Sequence, residues 1–301
     1  MANVDNTDLM AAKAAHAFMG EFAWPTVVMS IVFTTSFIAI PILASTGGLS
    51  LWLAIVLMGL TVYASYTVLH EAVHRAISGN KKSLLWLNEW CGYLAGFVLF
   101  IPLTAHRKSH FAHHAHTNDQ AEDPDLIITH MTQSPLAAAR AAWQVIGHQY
   151  GYYFRNCWKA GSKKQNRLFC AELAVGVIGR IGLISLTDPV TTIVLLIGGG
   201  AIGTLIVMYF FAYIVHEPHS EVGRYVDTST LIVDGLPGKV VNWLWLFQNY
   251  HSIHHLFPRV PFYRYAEVYE KIRPVMTEKQ APMFILSLKG MNQISGKRIY
   301  T

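Results

Sequence analysis

The chain has 301 residues, of which 52% are hydrophobic and only 14% charged, with a formal net charge of +5. A soluble globular domain carries about 25% charged residues, so the composition argues against a soluble fold and for the bilayer as solvent. The positive balance fits a basic cytoplasmic face, and no aromatic–basic platform for nucleic acid is present. Three cysteines, Cys91, Cys157 and Cys170, include no C-x-x-C pair. That argues against a disulfide framework and against an iron–sulfur cluster built by the chain itself. No dinucleotide fingerprint occurs either, so any redox chemistry needs electrons from a separate protein.

Residues 1–23 are mixed, with Asp5, Asp8, Lys13 and Glu21, and no apolar core of a cleavable secretory signal precedes Trp24. The Ala-rich stretch 11–18 predicts a short interfacial helix. Residues 24–44 are long and apolar enough to span a bilayer, with Pro25 in the first turn and Pro41 expected to kink or end the helix. A short uncharged turn, 45–50, leads into a second span, 49–69, which runs directly into His70 and completes a hairpin. Residues 84–101 are apolar but shorter and contain Asn88, Glu89, Gly92 and Gly96. They read either as a further span or as a re-entrant or interfacial segment buried in protein, where polar groups can be satisfied.

A polar region follows, up to Arg167. Ser134-Pro135 has the form of an N-cap and first helical residue. After it Trp143, Ile146, Tyr150, Phe154 and Trp158 recur at helical spacing. That pattern predicts an amphipathic helix, either at headgroup level or packed on a cytosolic core. Residues 168–187 and 190–215 form a second hairpin, broken at Asp188-Pro189, and Gly198-Gly199-Gly200 in its second limb reads as a close helix-packing site. No span is expected from His216 to Thr301. The expected fold class is an all-α integral membrane protein with four transmembrane helices in two hairpins and a re-entrant or interfacial segment. A helical cap of residues 102–167 and 216–301 completes one domain over 1–301.

The distribution of Lys and Arg orients this arrangement. The proposed outer turns, 45–50 and 188–189, carry none, whereas all 23 basic residues except Arg180 lie in segments 1–23, 70–83, 102–167 and 216–301. The positive-inside rule places both termini and the polar segments in the cytoplasm, which favours 84–101 dipping in and returning. Lys163, Lys164, Arg259 and Arg264 belong to this basic face. They follow from the positive-inside bias, and docking of an acidic ferredoxin-like donor is the alternative use.

The polar segments are rich in histidine. His70 and His74 lie four apart, as do His106 and His110, and His110 and His114; His110 and His113, like His251 and His254, lie three apart. On a helix such pairs share a face. The adjacent pairs His113-His114 and His254-His255 can serve two metals from one helix, because consecutive side chains diverge by about 100°. Neutral imidazole is a common ligand of iron, zinc and copper. Nine clustered histidines, His70, His74, His110, His113, His114, His216, His251, His254 and His255, exceed the need of one ion and suit two. Without a thiolate, two non-haem irons are the natural choice for oxygen chemistry.

One rival reading exists. His70-Glu71-Ala72-Val73-His74 matches the H-E-x-x-H of zinc proteases, in which Glu is the general base, and Asp234 superficially supplies a later ligand. It leaves the other two histidine clusters unexplained. A non-catalytic metal-handling protein is a third reading, but it would more typically show low-complexity His tracts. Asp119, Glu122, Asp123 and Asp125, with Glu71, Glu217, Asp227 and Asp234, are candidates to accept the far N–H of a metal-bound imidazole.

The three clusters, His70…His74, His110-Phe111-Ala112-His113-His114 and His251-Ser252-Ile253-His254-His255, resemble the three histidine boxes of the membrane fatty-acid-desaturase superfamily in order, spacing and intervening hairpins, over residues 24–275. The resemblance implies four transmembrane helices under a cytosolic cap, a di-iron centre, O2 as co-substrate and C–H abstraction from a long apolar substrate. It further implies an external donor of ferredoxin, rubredoxin or cytochrome type with its reductase, and a histidine ligand soon after the fourth span, here His216 or else His219. Some acyl-CoA desaturases add an asparagine ligand four residues earlier, where this chain has Ala212. His106 and His116 are additional to the pattern and are expected beside the ligands or facing substrate rather than as ligands.

Within the superfamily, the run from Gln248 to Tyr265 is most similar to the third box of desaturase-type carotene ring hydroxylases. The implied function is therefore carotenoid ring hydroxylation, with fatty acyl desaturation as the alternative, at a bacterial inner membrane. No separate acid–base residue is expected beyond the metal centre.

Overall fold

The computed structural model describes residues 6–233, 235–287 and 289–296. Among these, four helices are long and apolar enough to cross a membrane: α2 (Trp24–Ser45), α3 (Leu51–Val73), α7 (Lys163–Leu186) and α8 (Pro189–His216). Much of their surface faces outward, with Ile178 and Ile197 each 68% exposed. Apolar side chains are stable in that position only if lipid covers them. The expected hairpins are present, α2 with α3 and α7 with α8.

The boundaries differ from expectation in instructive ways. Pro41 lies inside α2 without ending it. The second span does not stop before the first histidine pair: α3 continues to Val73, so His70 sits on its last turn and His74 caps it. The third begins at Lys163 because Ser162 caps it by accepting the Gln165 N–H at 3.2 Å. Asp188 caps α8 by accepting the Thr191 N–H at 2.7 Å, beside the expected break.

Within α8 two π-turns, Leu195–Gly199 and Met208–Tyr213, interrupt the regular ladder. The Trp245 indole donates to the Phe210 carbonyl in the second at 2.7 Å. Close packing is carried by Gly199 and Gly203: a Cβ on either would come within 2.5 Å of Met58 or Val62 of α3. Of the three glycines at 198–200, only the middle one meets this wall closely.

The segment at 84–101 is not a straight crossing. Helix α4 (Leu85–Leu99) meets α5 (Leu103–His116) at a break, and the segments Lys82–Leu99 and Leu103–His116 are bent by 95°. Phe100 takes a left-handed conformation there, with φ 57°. The break carries the chain out of the apolar layer and starts the helix that bears the second histidine cluster.

The cap contains α6 (Pro135–Tyr152), with Ser134 accepting the Ala137 N–H as its N-cap. Trp143 on α6 is 79% exposed, whereas Ala141, Ala142 and Val145 pack against Ile128 and Met208. Helix α1 (Asn6–His16) is not merely interfacial. Its Ala11 and Ala15 are buried in one core cluster with Tyr265, Val268, Tyr269 and Ile272 of the C-terminal α11 (Tyr265–Glu278). Between them lie α9 (Gly235–Leu244) and α10 (His251–Leu256).

The cap also holds a small sheet that the all-α expectation omitted. β1 (Thr230–Val233) pairs parallel to β2 (Met283–Ser287), which pairs antiparallel to β3 (Gly290–Ser295). Four- and five-residue apolar runs carry no periodicity that separates strand from helix, and the β1–β2 pairing joins residues far apart in sequence.

Candidate metal centre

Four elements converge below the spans: the end of α3, helix α5, the end of α8, and α10. Helical phase then sorts the histidines. His110 and His114, one turn apart on α5, join His70, His74 and His254 in one group, and His113 joins His216 and His255 in another. Within each group the candidate ligand atoms lie within 4.8 Å of one another. The adjacent pairs 113/114 and 254/255 divide between the groups, as their angular divergence demands. His251 lies beside the second group, its ring 4.9 Å from that of His216 and 4.8 Å from that of His255.

The nitrogen spacing tests whether cations fit. In the first group His114 Nε2 stands 3.0 Å from His110 Nε2 and 2.9 Å from His254 Nε2. In the second, His216 Nε2 stands 3.1 Å from His113 Nε2 and 3.2 Å from His255 Nε2. Two imidazole nitrogens bound at right angles to one cation, at about 2.1 Å each, stand about 3 Å apart. Both nitrogens of His70, Nε2 of His74 and Nδ1 of His110 are buried without a hydrogen-bond partner. Buried unpaired polar atoms are costly, and a cation in the first group relieves part of that cost. The donor set, nitrogen without thiolate, suits iron among other borderline metals.

A second layer turns the rings inward. The Nδ1 atoms of His113, His251, His254 and His255 face Asp123 Oδ1 (2.9 Å), Gln248 Oε1 (3.1 Å), Tyr265 OH (3.1 Å) and Thr117 Oγ1 (3.4 Å). His216 Nδ1 donates to the Ala212 carbonyl at 2.5 Å. Each contact leaves Nε2 as the inward atom. Asp123 is itself fixed by the backbone N–H groups of Asn118 and Asp125, at 2.8 and 2.9 Å. Burial pushes the Asp123 carboxyl up, but these bonds and the one from His113 outweigh it and hold it below the ordinary range. Burial, and then the neighbouring imidazoles, hold His251, His254 and His255 well below the usual histidine range, so they are neutral and able to bind metal.

Of the described acidic candidates, Asp123 alone has a short contact to one of these rings, with Asp125 3.9 Å from the same nitrogen of His113. Asp119 folds back on the N–H groups of Ala121 and Glu122. Asp227 is contacted by Thr228, and its backbone carbonyl accepts from Asn118. Asp234 lies outside the described residues. Glu71, which the protease reading needs as a free base, is buried and accepts from the Thr26 hydroxyl and from the Phe262 N–H at 2.6 Å.

The His219 ring lies tilted against Tyr213, centroids 4.9 Å apart, and stays outside both groups, and His116 is exposed. His106 is buried, with Nδ1 3.0 Å from Gln149 Oε1. Ala212 contributes the carbonyl that orients His216.

Sequence reasoning missed Gln149, Gln248, Thr117 and Tyr265. A hint existed for Gln248, three residues before His251, and for Thr117, three after His114. None existed for Tyr265, which reaches His254 only through tertiary packing. The basic residues Arg259 and Arg264 are committed inside the chain, to Gly79 and Asn80 and to Glu21 and Glu267 respectively.

Two cavities adjoin the centre. A small one of about 20 Å³ is lined by His110, His113, His216 and His251. It shares Tyr66, Asp125, Ile128 and Ala212 with a cavity of about 60 Å³ running between α3, α6 and α8. The lining of the latter is mainly apolar, with Val62, Leu99, Ile101, Val145, Ile146 and Met208.

The sequence profile of the fatty acid desaturase family matches residues 46–287. The chain is similar to an sn-1 acyl-lipid omega-3 desaturase (ferredoxin) of Nostoc sp. (strain 36), at 24% identity over 245 residues, 74% of this chain and 67% of the relative. It is similar to a fatty acid desaturase of Bacillus subtilis (strain 168), at 22% over 253 residues, 72% of this chain and 68% of the relative. It is also similar to the fatty acid conjugase FAC2 A of Calendula officinalis, at 22% over 243 residues, 69% of this chain and 63% of the relative. None of these relatives is named for carotenoid chemistry.

Proposed function

Because the chain belongs to the fatty acid desaturase family, and is therefore a membrane oxidoreductase, we propose that it removes hydrogen from an unactivated C–H position of a fatty acyl lipid, giving a double bond. The reading is supported above all by the convergence of all three histidine clusters into two groups next to a mainly apolar cavity. Acyl desaturation takes precedence over the carotenoid hydroxylation expected from the third cluster, because the relatives are named for fatty acyl chemistry.

The first group, with His70, His74, His110, His114 and His254, would hold one iron, and His113, His216 and His255 with His251 the other. Bound there, the two irons supply O2 activation and the oxidising power for C–H abstraction. The protein does the rest. The Nδ1 partners of His113, His216, His251 and His254 hold those rings with Nε2 facing inward. Burial of the rings keeps bulk water away from the reacting position. The apolar walls contributed by α3, α6 and α8 bring the acyl chain past Tyr66 and fix which carbon lies next to the histidines.

Two electrons per turnover come from an external carrier. A ferredoxin is the first choice, from the name of the Nostoc relative. With the basic segments inside, both termini and the centre face the cytoplasm.

The test is expression in an aerobic host that also makes β-carotene, with a ferredoxin and its reductase, followed by mass spectrometry of lipids and pigments. The expected product is an acyl chain lighter by two hydrogens. A carotenoid gaining oxygen with acyl lipids unchanged would reverse the choice of substrate.

A further inference from the structure

Beyond its basic first turns, the apolar part of α7 (168–186) holds two charged side chains, Glu172 and Arg180, eight residues apart. Charges inside a span are rare and normally mark a specific interaction. Here both face inward. On this stretch of the helix Gly176 is buried and Glu172, Leu173, Gly179 and Arg180 are half-buried, whereas Val175, Val177 and Ile178 are exposed.

The covered face meets the break between α4 and α5. Arg180 donates from Nη1 to the Phe97 carbonyl at 3.0 Å and from Nη2 to the Val98 carbonyl at 2.9 Å. Those carbonyls belong to the last turn of α4, which has no helical partners for them. The guanidinium also lies over the Phe100 ring, 4.5 Å from its centroid. Glu172 accepts the backbone N–H of Thr104, at 3.4 Å to each oxygen, and the Thr104 hydroxyl. Thr104 is in the first turn of α5, where N–H groups are likewise unpaired. Close approach needs the glycines: a Cβ on Gly176 would come within 2.9 Å of the Phe100 ring, and one on Gly179 within 2.4 Å of the Phe97 ring.

The signs match the helix dipoles. A cation sits at the C-terminus of α4 and an anion at the N-terminus of α5. We propose that Glu172 and Arg180 are positioning residues, an opposite-charge clamp on α7 that closes the two helix ends flanking the break and so sets the pitch of the helix carrying His106 to His116. His110, His113 and His114 lie two to three turns beyond Thr104 on that rigid rod. A change of tilt at its start therefore displaces all three imidazoles together. The clamp stands on the geometry of the break; only its second readout rests on the di-iron reading.

The test uses the full chain in detergent micelles. Hydrogen–deuterium exchange over residues 97–108 is read without metal, and retained ferrous iron is read after gel filtration. Arg180→Leu and Glu172→Leu are expected to raise exchange at the break by about tenfold, leaving α2 and α3 unchanged. They are expected to weaken iron retention by about tenfold. Arg180→Lys and Glu172→Gln keep a donor and an acceptor, and should fall between these and the wild type. They carry the test if the leucine variants do not fold.

The double reversal E172R/R180E decides the mechanism. Each helix end then meets a charge of the wrong sign, so exchange should be at least as fast as in the worse single variant. Recovery to wild-type exchange would mean a simple ion pair and would overturn the clamp, as would wild-type exchange in all four single variants. If the wild-type chain retains no iron, the di-iron reading falls while the exchange result still decides the clamp.

Discussion

Glu71 accepts the backbone N–H of Phe262 at 2.6 Å, across 191 residues of sequence. The carboxylate between the two histidines of the first cluster therefore fastens that cluster to the segment just after the third. Its other oxygen accepts from Thr26 of α2. Glu71 is a structural joint between α2, α3 and the C-terminal cap.

Glu71→Gln is accordingly expected to retain activity within about threefold, because the amide oxygen can still accept from Phe262 and its NH2 can donate to Thr26. Glu71→Ala leaves a buried N–H and hydroxyl unpaired, at about 1–3 kcal/mol each, and should lower the thermal midpoint in detergent. A Gln variant that is well folded yet inactive on every substrate would revive the general-base role.

The two histidine groups make separable predictions for metal content. Removing His254 takes a nitrogen from the group of five, and removing His255 takes one from the group of three. With about two irons per chain as the starting point for a di-iron centre, His255→Ala should lose close to one, and His254→Ala less. Metal analysis of purified protein measures this. Equal, complete retention in both variants would be incompatible with either residue holding metal.

Asp123 acts through His113. Asp123→Asn keeps the shape but replaces a charged acceptor with a weaker one that can present its NH2 to the ring. A loss of about 10–100-fold in metal affinity is expected, with thermal stability changing less than affinity. An unchanged affinity would mean that the 2.9 Å contact does not orient the ring.

The acid limit follows from the burial of the third cluster. His251, His254 and His255 have folded-state proton affinities well below the ordinary histidine value, first from burial and then from neighbouring imidazoles such as His70, His114 and His216. Below an unfolded pKa of about 6.5 the unfolded chain binds protons that the folded chain does not, so stability is full above that pH and declines as pH falls. Metal-free protein should show its thermal midpoint dropping between about pH 6.5 and 5. A flat profile there would contradict neutral burial of these rings.

Four spans, the hairpins, the histidine clusters and their division between two sites were legible in the sequence. Spans are runs of apolar residues longer than any competing pattern, and histidines three or four apart share a face wherever a helix forms. The assignment of His113 to one group and His114 to the other follows from the angle between neighbours on one helix. Local periodicity carries all of that.

Tertiary structure alone decided the rest. The short strands Thr230–Val233 and Met283–Ser287 pair in parallel across a connection of some fifty residues, and no local signal marks them. Tyr265 of α11 reaches His254 of α10 because the two helices pack together, and Glu71 reaches Phe262 because the cap packs on the spans, each coming within hydrogen-bond range. The charges of Glu172 and Arg180 read as anomalies in a span until the break between α4 and α5 lies against them. Helix periodicity is a property of one segment and can be read from it. Partners for buried polar atoms belong to pairs of segments, and only the fold brings them together.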